Sequence, residues 1–151
     1  TSSVYDNLAL PLRYHAMLDE QSVRDRVEPW LARVGLSSKA DRRPADLSGS
    51  EARRAAIARA LVTEPRVLLL DEPFGAVDDP TAALLTDLIQ EARDQAQVAV
   101  LLVTAGSDRA RLLADRVWIQ RSLNDLHAVT STELAEVGGP SALFRTAGRS
   151  S

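Results

Sequence analysis

Three features of the chain predict an α/β fold built on a parallel sheet. Val67-Leu68-Leu69-Leu70 is a short unbroken apolar run, the signature of a strand buried on both faces. Val98 to Val103 is a second such run. Between them, Thr81 to Ala96 carries Leu84, Leu85, Leu88 and Ile89 at helical spacing. A strand, a helix and a strand in that order imply a right-handed crossover between parallel strands, because a right-twisted strand feeding a right-handed helix packs back onto its sheet only that way.

The other elements follow from pattern and punctuation. Val4 to Leu12 is a short helix or an extended lead-in, with Pro11 inside it. Gln21 to Val34 reads as a helix whose apolar stripe is Val23, Val27, Trp30, Leu31 and Val34. Trp30 on that stripe is expected in the core. Pro29 is the point where this helix can kink, and Gly35 is placed to end it. Ser37 to Asp46, with Pro44, is a polar loop. Ser48-x-x-Glu51 is a capping box, in which each side chain satisfies a backbone N–H of the other residue. The helix it opens runs through Ala55, Ala56, Ile57, Ala60 and Leu61 to the break at Glu64-Pro65. Arg53, Arg54 and Arg59 form its solvated face, with Arg54 also a candidate brace. Beyond Val103, Ser107 to Ala114 is a short helix. Val117–Gln120 and Leu126–Val129 form a hairpin about Asn124-Asp125, with Trp118 packing on it and His127 on its surface. Pro140 to Phe144 starts a last helical turn, and the tail beyond Arg145 is expected to fray.

The bulk numbers are those of one globular domain or a large part of one: 151 residues, 45% hydrophobic, 26% charged. A net charge of -3 gives no basis for binding nucleic acid through bulk charge. The absence of cysteine excludes disulfide scaffolds and cysteine-ligated zinc. No apolar run approaches the ~20 residues of a membrane span. No signal peptide is visible, and the chain opens at Thr1 in mid-pattern, as though something preceded it.

Two segments carry chemistry. Asp71-Glu72 follows the first apolar run directly. Ligands of open parallel sheets sit beyond the carboxyl ends of the strands, and alternation along a strand points adjacent side chains different ways. Asp71 can therefore hold Mg²⁺ through water while Glu72 accepts a proton from an attacking water. The plainer reading is that both acids cap a loop. In Leu47-Ser48-Gly49-Ser50-Glu51, a helix N-terminus offers free N–H groups to an anion. Gly49 lets a phosphate approach the backbone, and Ser48 and Ser50 add hydroxyls. Here the plainer reading is an ordinary capping box.

Taken together and in order, the segments resemble a known family. Leu47-Ser48-Gly49-Ser50-Glu51, Arg54-Ala55-Ala56-Ile57-Ala58-Arg59-Ala60-Leu61, Pro65, Leu68-Leu69-Leu70-Asp71-Glu72-Pro73-Phe74 and Gly75-Ala76-Val77-Asp78 are similar, without gaps, to the signature motif, Walker B strand and D-loop of ABC transporter ATPases. Leu102-Val103-Thr104, Leu113-Ala114-Asp115-Arg116-Val117 and Val137-Gly138-Gly139-Pro140 with Leu143-Phe144 continue the resemblance downstream. It implies a partial P-loop NTPase-like sheet, with residues 1–47 part of a helical subdomain and residues 48–151 the C-terminal part of the ATPase core. Val4-Tyr5-Asp6-Asn7-Leu8-Ala9-Leu10-Pro11-Leu12-Arg13 with His15, Arg53-Arg54-Ala55-Ala56 and Asp115-Arg116-Val117-Trp118-Ile119 resemble the phospholipid-trafficking branch, the lipid-asymmetry and Mce-type systems. Importers of sulfate, molybdate or polyamines share some of these words.

The resemblance implies roles. Ser48, Gly49, Ser50 and Glu51 would meet the γ-phosphate of an ATP held mainly by a partner subunit. Asp71 would serve Mg²⁺ through water, Glu72 would be the catalytic base, and Asp78 would lie at the dimer seam. The implied partners are a second ATPase subunit and transmembrane permease subunits, not nucleic acid. The implied location is cytoplasmic, at the inner face of the membrane.

Three departures bear on activity. No G-x-x-x-x-G-K-[ST] occurs, and the only lysine, Lys39, has no such loop before it. The loop that cradles the β- and γ-phosphates, and the family's glutamine loop, would precede residue 1. The position of the family's switch histidine is Ala105, which can neither donate to a phosphate nor orient a water. The second glycine of the signature is Ser50. The chain by itself is therefore expected not to hydrolyse ATP. The competing expectation is a catalytically degenerate partner or regulatory subunit that completes another ATPase's site through its signature motif.

Overall fold

The computed structural model describes residues 2–15, 18–104, 112–122, 125–129 and 142–146. The chain forms two compact units, residues 1–65 with 76–84, and residues 66–75 with 85–151. The expected boundary at 47/48 falls inside the first unit.

In the first unit, α1 (Val4–His15), α2 (Glu20–Arg33) and α3 (Gly49–Leu61) pack together. Val4, Leu8 and Leu12 of α1, Val23, Val27 and Leu31 of α2, and Ile57 and Leu61 of α3 are buried. Residues 4–12 are therefore helical, and Pro11 lies inside that helix. α2 likewise runs on through Pro29, which sits on the solvent face. There the Asp25 carbonyl that loses its N–H partner can bond water. Trp30 departs from expectation: it is only half-buried, and the Arg33 guanidinium lies 5.1 Å from its ring centroid. An aromatic at the edge of an apolar stripe can gain more from a cation over its face than from complete burial.

The segment expected as a loop holds two 3₁₀ turns, Ser37–Lys39 and Pro44–Asp46. Its carbonyls also complete α1. The Val4 N–H donates to Arg42 O at 2.8 Å and the Tyr5 N–H to Ala40 O at 2.9 Å, so two first-turn donors that a helix cannot satisfy itself are paired.

Gly35 ends α2 as its position suggested. It sits at φ +68°. Its N–H bonds Ala32 O at 3.0 Å, and the Leu36 N–H reaches back to Leu31 O at 2.8 Å. This is a Schellman ending, with the left-handed residue at the position that favours glycine. Arg54 of α3 donates from Nη1 to the Val34 carbonyl beside it. The Arg54 brace thus ties α3 to the end of α2.

In the second unit, β1 (Val67–Asp71) and β2 (Ala99–Thr104) pair in parallel, Leu69 opposite Leu101. The crossover helix α4 (Asp79–Asp94), of which residues 79–84 belong to the first unit and 85–94 to the second, begins two residues before the expected Thr81, and its Leu85, Leu88 and Ile89 are buried. The expected hairpin is present as β3 (Arg116–Ser122) and β4 (Asp125–Val129). His127 is exposed and Trp118 half-buried. The full order is β1-β2-β5-β3-β4.

Two expectations are corrected. Ala142–Thr146 is a strand, β5, not part of a helical turn, and it pairs antiparallel with β2 and with β3. Two neighbouring strands offer its backbone a full set of partners, whereas one isolated helical turn is costly to nucleate. The β1 run is not buried on both faces: Leu68 is 3% exposed, but Val67 is 58% and Leu69 70% exposed. β1 is the edge strand of this sheet. An apolar run records what both faces tolerate, while neighbours decide which face is covered. Of the expected helix at 107–114, only residues 112 and 113 among those described are helical. The Gly138-Gly139 turn lies outside the described residues.

Gly35 supplies a test of the α2–α3 junction. A Cβ there would lie 2.9 Å from Arg54 Nη1, at a φ that disfavours any L side chain. Gly35→Ala is expected to lower stability by about 1–2 kcal/mol, read as a fall in the urea midpoint at unchanged m.

Candidate functional site

The end of β1 places its two acids in different surroundings. Asp71 is the last strand residue, opposite Val103, and its side chain is exposed. Glu72 leaves the strand at φ +44°, in the left-handed region that non-glycine residues enter at a cost of roughly 1–2 kcal/mol. Its N–H still donates to Val103 O at 2.8 Å, and its carbonyl accepts from the Gly75 N–H at 3.1 Å to close a tight turn. The side chain is half-buried, with Oε2 accepting from Thr104 Oγ1 at 3.2 Å. The two acids are separated by this turn rather than by strand alternation.

Thr104, named in the sequence only as the end of a strand motif, is the residue whose contact with Glu72 was not foreseen. It is 3% exposed and ends β2, one residue past the partner of Asp71. A hydroxyl closing an apolar strand beside another strand's terminal acids was the signal available.

In the other unit, Ser48 is the N-cap of α3. Its Oγ accepts from the Glu51 N–H at 3.3 Å, and its own N–H donates to Glu51 Oε2 at 3.0 Å. Both halves of the capping box read from the sequence are therefore made. Glu51 Oε1 is bound in addition by Lys39 Nζ. The Lys39 ammonium, and then the Ser48 N–H, hold this carboxyl below the usual glutamate range. Glu51 thus shapes the turn rather than offering free charge, and the chain's only lysine serves that purpose. Gly49 has nothing within 4 Å of where a Cβ would stand, which leaves its backbone open to close approach.

Ser50 points to a neighbour in its own unit. Its Oγ accepts from the Asp78 N–H at 3.4 Å. Asp78 Oδ1 accepts from the Thr81 N–H at 2.8 Å, so Asp78 is the side-chain cap of α4 and the reason that helix starts early. The Ser50 hydroxyl, and then the Thr81 N–H, bring the Asp78 carboxyl down to about 2. Ala105 lies outside the described residues.

The residues fit a nucleotide and its metal in part. Among the described residues no three metal-ligating side chains gather. One exposed carboxylate at a strand's carboxyl end nevertheless suits Mg²⁺, which keeps several waters and takes its other ligands from phosphates. The open backbone at Gly49, between two serines, suits a phosphate oxygen.

Comparison with known proteins converges on one family. The family model described as "ABC transporter" matches residues 1–75. The chain is 39% identical over 122 residues to a methionine import ATP-binding protein, MetN 4, of Oceanobacillus iheyensis, a match spanning 81% of this chain and 35% of the relative. It is 44% identical over 119 residues to the aliphatic sulfonates import ATP-binding protein SsuB of Delftia acidovorans, spanning 79% of this chain and 47% of the relative. The chain thus spans less than half the length of either. Among solved structures, a dimer of the ATP-binding cassette MJ0796 bound to ADP and Pi superposes with a TM-score of 0.72 at 26% identity, over 85% of this chain and 57% of that one. These relatives give no support to the phospholipid-trafficking branch.

Two outcomes test the geometry. Thr104→Val keeps the shape of a buried side chain but removes the hydrogen bond to Glu72, and is expected to cost about 1 kcal/mol by urea unfolding; Thr104→Ser is expected to retain most of it. The Asp78 carboxyl is depressed on folding, so its cap contributes fully above pH ~4, the ordinary carboxylate value. That contribution is lost as pH falls through about 2. Exchange at the Thr81 amide, corrected for the intrinsic pH dependence, is expected to accelerate across that window.

Proposed function

Because the chain belongs to the ABC transporter family of ATP-binding domains, we propose that it forms the signature and catalytic-strand portion of an ATPase subunit driving import across a membrane. The relatives import methionine and aliphatic sulfonates, which favours small polar solutes as cargo. The observation that carries the catalytic reading is the setting of Glu72. Glu72 leaves the strand end on a strained turn, with its N–H held by the Val103 carbonyl and its carboxylate held by the Thr104 hydroxyl, and this fixed setting supports a proton-accepting role.

In this reading Glu72 accepts the proton of the attacking water. Asp71, exposed beside it, holds Mg²⁺ through water. The metal, when bound, offsets phosphate charge. Ser48, Gly49 and Ser50 present hydroxyls and open backbone to the γ-phosphate of ATP carried mainly by a second ATPase subunit, and Glu51 with Lys39 keeps that turn in shape. Asp78 stands at the seam between the subunits. A phosphate clamp divided between two chains closes only when nucleotide bridges them, so nucleotide state becomes subunit separation. Permease subunits would receive that motion at the inner face of the membrane. Among the described residues no helix is long and apolar enough to cross the membrane.

The test is an ATPase assay on the chain extended upstream with its phosphate-binding loop. Glu72→Gln is expected to lower turnover at least about 100-fold while nucleotide-dependent dimerisation persists. Unchanged turnover in that variant would remove Glu72 from the mechanism.

A further inference from the structure

Ser50 is the point at which this chain departs from the glycine of the family's signature, and it is also the point at which the signature turn meets Asp78. The two residues are 28 positions apart. The Ser50 hydroxyl accepts from the Asp78 N–H at 3.4 Å. The Asp78 carboxylate caps the Thr81 N–H, and the Asp78 carbonyl accepts from the Ala82 N–H at 2.9 Å. Asp78 is thus held at its N–H by the first turn of α3, and at its carboxylate and carbonyl by the first turn of α4. A hydroxyl oxygen can accept this bond. Glycine at position 50 has no atom with which to make it.

We propose that Ser50 is a positioning residue: its hydroxyl latches the segment at residues 76–79 onto the signature turn, so that the turn and the start of α4 move as one piece. The proposal deepens the functional reading and rests on it for one point, that the turn and Asp78 both face the partner subunit. With the latch made, the placement of Asp78 at the seam is set by the same turn that receives the phosphate. Without it, the two segments lose this direct bond between them.

The low carboxyl pKa of Asp78 agrees with this contact. The other charged groups of the two first turns do not account for it. Glu51 is taken up by Lys39, and the charge of Asp79 next in the chain would oppose ionisation of Asp78 rather than favour it.

The latch can be tested on the chain as it stands, without nucleotide, so its failure is separable from failure of the ATPase reading. Amide exchange and carboxyl titration are followed by NMR for the parent, Ser50→Ala and Ser50→Thr. In the alanine variant the Asp78 and Thr81 amides are expected to exchange about 5-fold faster or more, and the Asp78 midpoint to rise from about 2 toward the ordinary aspartate value. The Glu51 amide, held by Ser48, is expected not to change, which shows that α3 is intact. The threonine variant, which keeps the hydroxyl, is expected to hold both readouts near the parent. The proposal is overturned if the alanine variant keeps the parent's exchange and titration, or if the threonine variant loosens as much as alanine.

Discussion

An α-helix begins with backbone N–H groups that it cannot satisfy itself, and the arrangement of the first unit follows from how this chain satisfies them. α1 is closed by Ser3 and Asp6, which exchange N–H bonds at 3.0 and 3.1 Å, and by carbonyls of residues 40 and 42. α2 is closed by Asp19, which accepts from the Ser22 N–H. α3 is closed by Ser48 with Glu51, and α4 by Asp78. The last two caps are also residues to which the proposed function assigns a role. A cap is a short polar side chain placed where helix N–H groups point outward, which is where an anion is best received.

That double use explains the electrostatics of the signature turn. Glu51 would repel a phosphate if its charge were free, but it is spent on the Ser48 N–H and on Lys39. Asp78 would do likewise, and its carboxylate is engaged by the Thr81 N–H. Both acids hold their protons less tightly than usual because donors surround them, and both therefore stay ionised and fixed at neutral pH. The turn keeps its shape through charges turned inward on its own backbone, leaving the space over Gly49 open.

The strand end uses a different resource, backbone strain. Glu72 adopts a left-handed conformation that is tolerated because hydrogen bonds to Val103, Gly75 and Thr104 determine its position three times over. Strain of this kind persists where the surroundings over-determine a residue. It gives Glu72 a half-buried setting, apart from the exposed setting of Asp71 one residue away.

Much of this was legible in the sequence, for a stated reason in each case. Helical periodicity located the cores of α2 and α4, Ser48-x-x-Glu51 announced its own cap, Gly35 announced the end of α2, and the motif order identified the family. These are local properties: a cap, a C-terminal glycine and an apolar period are satisfied within a few residues of themselves. Tertiary structure alone decided what depends on distant partners. It left Val67 and Leu69 uncovered on an edge strand, drew Ala142–Thr146 into the sheet between β2 and β3, set Trp30 at the surface beneath Arg33, brought Thr104 to Glu72 and brought Ser50 to Asp78. Pairings across 28 and 32 residues leave no mark in a local pattern, because the energy that selects them is shared between segments that become neighbours only when the chain has folded.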